Sequence, residues 1–98
     1  MTNNRGPKIQ HTTQEVVFVC DLNPMEGEIH VVGDFNQWQA DTNLMTKAKD
    51  LTYTCKLKLA PGTYEYKFLV NGIWYTDHRA DRQVMNCYGT LNSVIEVR

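Results

Sequence analysis

The chain has 98 residues, the size of one domain, with 42% hydrophobic and 21% charged residues, as is typical of a globular protein. Its formal net charge of −1 and the lack of a basic stripe argue against a nucleic-acid-binding surface, which needs a clear basic excess. No stretch has the length of roughly 20 apolar residues that a membrane-spanning helix requires. Residues 1–14 lack the apolar centre of a secretion signal.

The cysteine pattern concerns the redox environment. The chain has three cysteines, Cys20, Cys55 and Cys87. An odd number at wide spacing matches neither a disulfide framework nor a zinc signature. Cys20 and Cys55 fall inside strand-like runs and are interpreted as reduced core residues. The pattern therefore predicts free thiols and a cytoplasmic location.

The chain reads as a flexible tail at residues 1–14 followed by a series of strands. Apolar runs predict strands at residues 15–22, 28–32, 51–59, 63–70, 73–76 and 91–97. The clearest signal is the strict alternation between Leu51 and Leu59. Ala60-Pro61-Gly62 predicts a turn that makes 63–70 the hairpin partner of 51–59. Asn71-Gly72 predicts a second tight hairpin, and residues 77–86 look irregular.

About seven short strands without helical periodicity predict an all-β fold. We expect an immunoglobulin-like antiparallel β-sandwich covering residues 15–98. The Cys…Trp…Cys spacing of true immunoglobulin domains is absent, so only the architecture is expected. Within the strand at 63–70, Tyr66 and Phe68 share the face predicted to be buried, whereas Lys67 lies on the opposite face.

Two tryptophans stand among polar residues at turn signals. Trp38 closes the run Gly33-Asp34-Phe35-Asn36-Gln37-Trp38, and Trp74 closes Val70-Asn71-Gly72-Ile73-Trp74. Each ring is either a loop anchor tucked under the turn or a platform offered to a flat, hydroxyl-rich ligand such as a sugar. Phe35 is expected to plug the core, and Asn36 to form the turn.

Four blocks of sequence resemble a known family. They are Val31-Val32-Gly33-Asp34-Phe35-Asn36-Gln37-Trp38, then Leu59-Ala60-Pro61-Gly62-Thr63-Tyr64-Glu65-Tyr66-Lys67-Phe68, then Asn71-Gly72-Ile73-Trp74, and Gly89-Thr90-Leu91-Asn92-Ser93-Val94-Ile95. In this order and spacing they resemble the family-48 carbohydrate-binding modules. That family includes the glycogen-binding domain of the AMP-activated protein kinase beta subunit and the N-terminal domains of branching and debranching enzymes.

The resemblance implies a sugar-binding face. Carried over by position, its tryptophans are Trp38 and Trp74 and its lysine is Lys67. Tyr88 takes the place of the bulky apolar residue, for which a leucine is expected, and His78 stands where the family often has proline. The last two positions are Thr90 and Asn92.

The resemblance implies non-catalytic binding of α-1,4-linked glucan of the glycogen or starch type, with no cofactor. The alternative is a protein-interaction or scaffold module that docks on a kinase or a glycoside hydrolase without binding sugar. Retention of the two tryptophans favours sugar binding. Asp77, His78 and Asp81 match no metal motif and are interpreted as a charged loop, and no serine or cysteine has a suitably placed base.

Overall fold

A computed structural model describes residues 12–24 and 26–98 and shows an all-β domain. In chain order its strands are β1 (Gln14–Cys20), β2 (Ile29–Gly33), β3 (Thr46–Lys47), β4 (Tyr53–Leu59), β5 (Gly62–Val70), β6 (Ile73–Tyr75), β7 (Arg82–Met85) and β8 (Leu91–Val97). A 3₁₀ turn at Asp34–Asn36 follows β2. The expected all-β fold is confirmed.

The strands form two antiparallel sheets. The smaller sheet has the order β1-β4-β3, and the larger has the order β2-β5-β8-β7, with β6 pairing the second half of β5. The long strand β5 contacts β2, β6 and β8 and is therefore the centre of the larger sheet.

The core lies between the sheets and is built from alternate residues of the strands. β1 supplies Phe18 and Cys20, β2 supplies Ile29 and Val31, and the other sheet positions follow the same period of two. The remaining buried members are Met45, Leu59, Tyr66, Phe68, Val70 and Val97. Phe35 packs against this core, as predicted, and its ring centroid is 5.2 Å from that of Phe18.

The structure differs from the strand predictions in several places. Residues 51–59 and 63–70 are not a hairpin pair, because β4 pairs with β1 and β3 in one sheet whereas β5 belongs to the other. The turn at residues 60–61 therefore carries the chain from sheet to sheet. Arg82–Met85 is a strand rather than irregular, and the short β3 was not expected. Leu51, the first residue of the predicted strand 51–59, instead precedes β4, where it has φ 70° and is exposed.

The predicted Asn71-Gly72 hairpin is present between β5 and β6, with φ of 51° and 82° at the two turn residues. Cys20, Cys55 and Cys87 are free. The predicted tail lies mostly outside the described residues, and β1 begins at Gln14, one residue before the expected boundary. No helix in the described part of the chain has the length and apolar character of a membrane span.

Candidate functional site

All six predicted site residues line one groove on the outer face of the larger sheet. The groove has a volume of about 770 Å³ and is also lined by Glu65, Asn86 and Cys87. The six residues predicted from the sequence are Trp38, Lys67, Trp74, Tyr88, Thr90 and Asn92. The structure therefore brings together side chains that are up to 54 positions apart in the sequence, from 38 to 92.

The two tryptophans form an aromatic wall. Their ring centroids are 6.3 Å apart with the planes inclined at 58°. Trp74 is 45% exposed and is paired with Leu69 at the edge strand β6, whereas Trp38 is partly buried. Neither ring belongs to the core between the sheets. Both rings are therefore free to present apolar surface to a ligand in the groove.

A strained turn holds Trp38 in place. Gln37 and Trp38 have φ of 55° and 59°, a left-handed conformation that is costly for residues with a side chain. The backbone N–H of Trp38 donates to the Gly33 carbonyl at 2.9 Å. Asn36, which is buried, fixes the turn by accepting from the Gly33 N–H at 3.0 Å. Strain at a position fixed by several hydrogen bonds is typical of a preorganised site.

One carboxylate ties this turn to the sheet. Asp34 Oδ1 accepts from Trp38 Nε1 at 2.9 Å, and its Oδ2 accepts from the Glu65 N–H of β5 at 2.8 Å. The turn can lie this close to β5 only with glycine at position 33, because a Cβ on Gly33 would lie 2.4 Å from the Glu65 carbonyl oxygen. Asp34 was not identified from the sequence, since its role depends on contacts with distant residues.

Lys67 is unusual for a lysine because only 8% of it is exposed. As predicted, it lies on the face of β5 opposite the core residues Tyr66 and Phe68. Its ammonium donates to Thr90 Oγ1 at 2.9 Å, and none of the ion pairs among the described residues involves it. An ammonium has three donors, so two remain for a ligand.

Asn86 makes hydrogen bonds that fix the side of the groove formed by Tyr88, Thr90 and Asn92. Its Oδ1 accepts from the N–H groups of Tyr88 and Thr90, at 2.9 and 3.1 Å. Its Nδ2 donates to Thr90 Oγ1 at 2.7 Å and to Asn92 Oδ1 at 2.9 Å. Sequence analysis missed this residue, although Asn86 and Gly89, whose φ is 81°, bracket a recognisable turn.

These bonds leave defined groups for a ligand. Thr90 Oγ1 accepts from both Lys67 and Asn86, which fills its two lone pairs, so its O–H is available only as a donor. Asn92 is buried and donates to Glu65 Oε1 at 3.0 Å. Tyr88 is 87% exposed and projects from the loop between Asn86 and Thr90. The groove thus combines apolar rings with fixed donors and acceptors.

The charged loop after β6 has a structural role. Asp77 is buried and accepts from the Tyr66 hydroxyl at 2.6 Å. Burial raises the pKa of Tyr66 above its usual value, and the hydrogen bond to Asp77 and the charge of Asp77 raise it further. His78 pairs with Asp21 at 3.0 Å, and this hydrogen bond lowers the pKa of Asp21. No cluster of His, Cys, Asp and Glu in the described residues could hold a metal ion.

Comparison with known proteins identifies the family of this chain. The family model described as the glycogen recognition site of AMP-activated protein kinase matches residues 23–98. The AMP-activated protein kinase subunit beta of Schizosaccharomyces pombe is 46% identical over 46 residues, or 47% of this chain and 14% of that protein. The mouse subunit beta-2 is 32% identical over 71 residues, or 72% of this chain and 25% of that protein.

A third relative is a plant protein. FLOURY ENDOSPERM 6, chloroplastic, of rice is 34% identical over 61 residues, which is 62% of this chain and 11% of that protein. The chain therefore spans a quarter or less of the length of these relatives. Because the family model covers most of the chain, the chain belongs to the family of glycogen-recognition domains of AMP-activated protein kinase, which are carbohydrate-binding modules.

Proposed function

We propose that this domain binds α-1,4-linked glucan of the glycogen or starch type in the groove between Trp38 and Tyr88, without catalysing a reaction. The observation that carries the proposal is the convergence of the six residues on one groove of about 770 Å³. A glucose unit has apolar C–H faces and a rim of hydroxyl groups. The aromatic wall suits the faces, and the fixed polar groups suit the rim.

The energetics favour weak, reversible binding. A tryptophan ring that covers about 80 Å² of sugar contributes roughly 2 kcal/mol at about 25 cal/mol per Å². Hydrogen bonds from Lys67, Thr90 and Asn92 each add roughly 1 kcal/mol net, because water is displaced first. Ordering of the glucan and loss of free motion offset several kcal/mol. The expected dissociation constant lies roughly between micromolar and millimolar.

The proposal of a non-catalytic role is supported by the contacts of the titratable side chains in the groove and in the loop after β6. Asp77 is held by Tyr66 inside the fold, and His78 is paired with Asp21. The carboxylate in the groove, Glu65, accepts from Asn92. A general acid or base would need to reach the scissile bond of the ligand, whereas these groups are engaged with the protein.

A protein-docking role is the second candidate. The relatives named as kinase beta subunits are about four to seven times longer than the matched region, which is the observation that favours an assembly with other protein parts. In this alternative the tryptophans anchor a protein surface. A kinase or a glucan-active enzyme would be the partner.

The proposal is tested by titrating the domain with maltoheptaose while tryptophan fluorescence is followed. A cellooligosaccharide of equal length is the matched control, because it has the same glucose units in β-linkage. Saturable binding of the α-linked sugar at concentrations up to millimolar, with weaker binding of the control, is expected. Absence of binding to any α-glucan at millimolar concentration favours protein docking instead.

The compartment is a separate proposal. The three free thiols favour a reducing compartment such as the cytoplasm. Two relatives, in rice and Arabidopsis thaliana, are named as chloroplastic. Thiol counting under denaturing conditions without reductant should find all three cysteines reduced, and loss of a pair would contradict the reasoning.

A further inference from the structure

A second depression lies on the same sheet face as the glucan groove. Its volume is about 550 Å³, and it is lined by Glu28 and His30 near β2, by Asp41 in the loop after Trp38, by Leu69 of β5 and by the Asn71-Gly72 turn. None of the six site residues predicted from the sequence lines it. The depression is therefore a separate feature of the surface.

The strand register places the two cavities next to each other. Val32 pairs with Lys67, and His30 pairs with Leu69, so all four side chains share the outer face of the larger sheet. Lys67 and Leu69 are two residues apart, about 7 Å along the strand. Trp74, which lines the groove, is the ladder partner of Leu69, which lines the depression. Trp74 of the groove is therefore the neighbour, across the ladder, of a residue that lines the depression.

The chemistry of the depression also suits a sugar. Leu69 is half-buried and supplies an apolar patch at the base. The rim carries two carboxylates, Glu28 and Asp41, and the half-buried imidazole of His30. Among the described residues, these three side chains make no hydrogen bond or ion pair. Carboxylates accept from hydroxyl groups and an imidazole can donate or accept, so the rim can bind several hydroxyls of a neutral ligand.

We propose that this depression is a second glucan subsite, filled by the part of a longer chain that extends past Trp74. The inference rests on the proposed function, because it assumes that the groove holds the first part of the same chain. Both cavities open on one face, so a single glucan can occupy them without passing around an edge of the sandwich. Short glucans fill the groove alone.

The test compares maltopentaose with maltododecaose on the unmodified domain and on the double variant H30A/D41A. We expect the unmodified domain to bind the longer sugar more tightly. The variant should bind maltopentaose normally and lose about fivefold in affinity for maltododecaose, which corresponds to about 1 kcal/mol and to the loss of one or two hydrogen bonds. D41A alone alters only an exposed loop residue and should show part of the loss.

Controls separate the possible failures. E15A removes an exposed carboxylate from the other sheet and should change neither affinity. W74A should weaken both sugars. Equal binding of maltododecaose by the variant and the unmodified domain overturns the second subsite but leaves the groove assignment intact. Equal weakening of both sugars in the variant also overturns it. Failure of the unmodified domain to bind either sugar removes the proposed function, and this inference with it.

Discussion

Replacing Trp74 by alanine should weaken sugar binding strongly while changing the stability of the fold only slightly. The ring is 45% exposed, lines the groove and lies on the short edge strand β6, outside the core. If the ring covers about 80 Å² of sugar, its removal costs roughly 2 kcal/mol of binding free energy at about 25 cal/mol per Å². At 1.4 kcal/mol per tenfold change, we expect the dissociation constant for maltoheptaose to rise about 30-fold.

The effect of Trp74→Ala on the fold should be much smaller. The ring loses its packing against Trp38, whose centroid lies 6.3 Å away, but no core contact. A loss of about 1 kcal/mol lowers the melting temperature of a domain of this size by about 4–8 °C. Calorimetric titration with maltoheptaose measures binding, and thermal denaturation followed by circular dichroism measures stability.

The neighbouring residue Ile73 provides a matched control. It is 58% exposed on the same strand, but its side chain is on the opposite face and does not line the groove. Ile73→Ala should therefore leave the affinity for maltoheptaose within twofold. Equal loss of affinity in Ile73→Ala and Trp74→Ala, or unfolding of Trp74→Ala at room temperature, would refute the assignment of Trp74 as an exposed stacking ring.

Three further predictions test other parts of the structure. Lys67→Ala should weaken maltoheptaose binding several-fold, and Lys67→Gln should weaken it less, because a neutral glucan needs hydrogen-bond donors rather than charge. Binding should change little between low and high salt, and a steep salt dependence would contradict this. Gln37→Gly should raise the free energy of unfolding by about 0.5–1 kcal/mol, measured by urea denaturation, because glycine removes the strain at φ 55°; a loss of stability would show that the turn is unstrained. The buried Tyr66 has a raised pKa, so in the folded protein it keeps its proton above pH 10.0, where the same tyrosine in the unfolded chain loses its proton. The free energy of unfolding should therefore fall as the pH rises above 10.0. The fall should be less steep in Tyr66→Phe.

Local sequence patterns predicted most strands because each apolar period of two reports burial of one face. The same patterns could not predict the partner of a strand. Ala60-Pro61-Gly62 indicates a turn, but both a hairpin and a crossing between sheets use such a turn, and both leave one face of each strand apolar. The strand Arg82–Met85 is defined by its pairing with β8 rather than by its composition. Its only half-buried residue is Val84, which is too weak a signal.

The family resemblance predicted six candidate site residues, and the structure places all six along one groove. The residues that orient them could not be predicted. Asp34 acts on Glu65, 31 positions away, and Glu65 in turn holds Asn92, 27 positions further along. Such roles depend on the tertiary structure, which determines which distant side chains meet. Asn86 is the exception, because its turn is local and a closer reading of Asn86 with Gly89 could have identified it.

The position of β5 at the centre of the larger sheet determines when the binding face can appear during folding. Trp38 and Lys67 are in place once β2 and β5 have paired, whereas Thr90 immediately precedes β8 and Asn92 lies in it, and β8 is the last strand that the structure describes. A nascent or truncated chain that ends before Asn86 therefore carries the aromatic wall and the lysine without Asn86, Tyr88, Thr90 and Asn92, which complete the groove. The proposed glucan recognition thus requires the fully assembled sheet. Sugar that binds only this state stabilises it by mass action against every partly folded form.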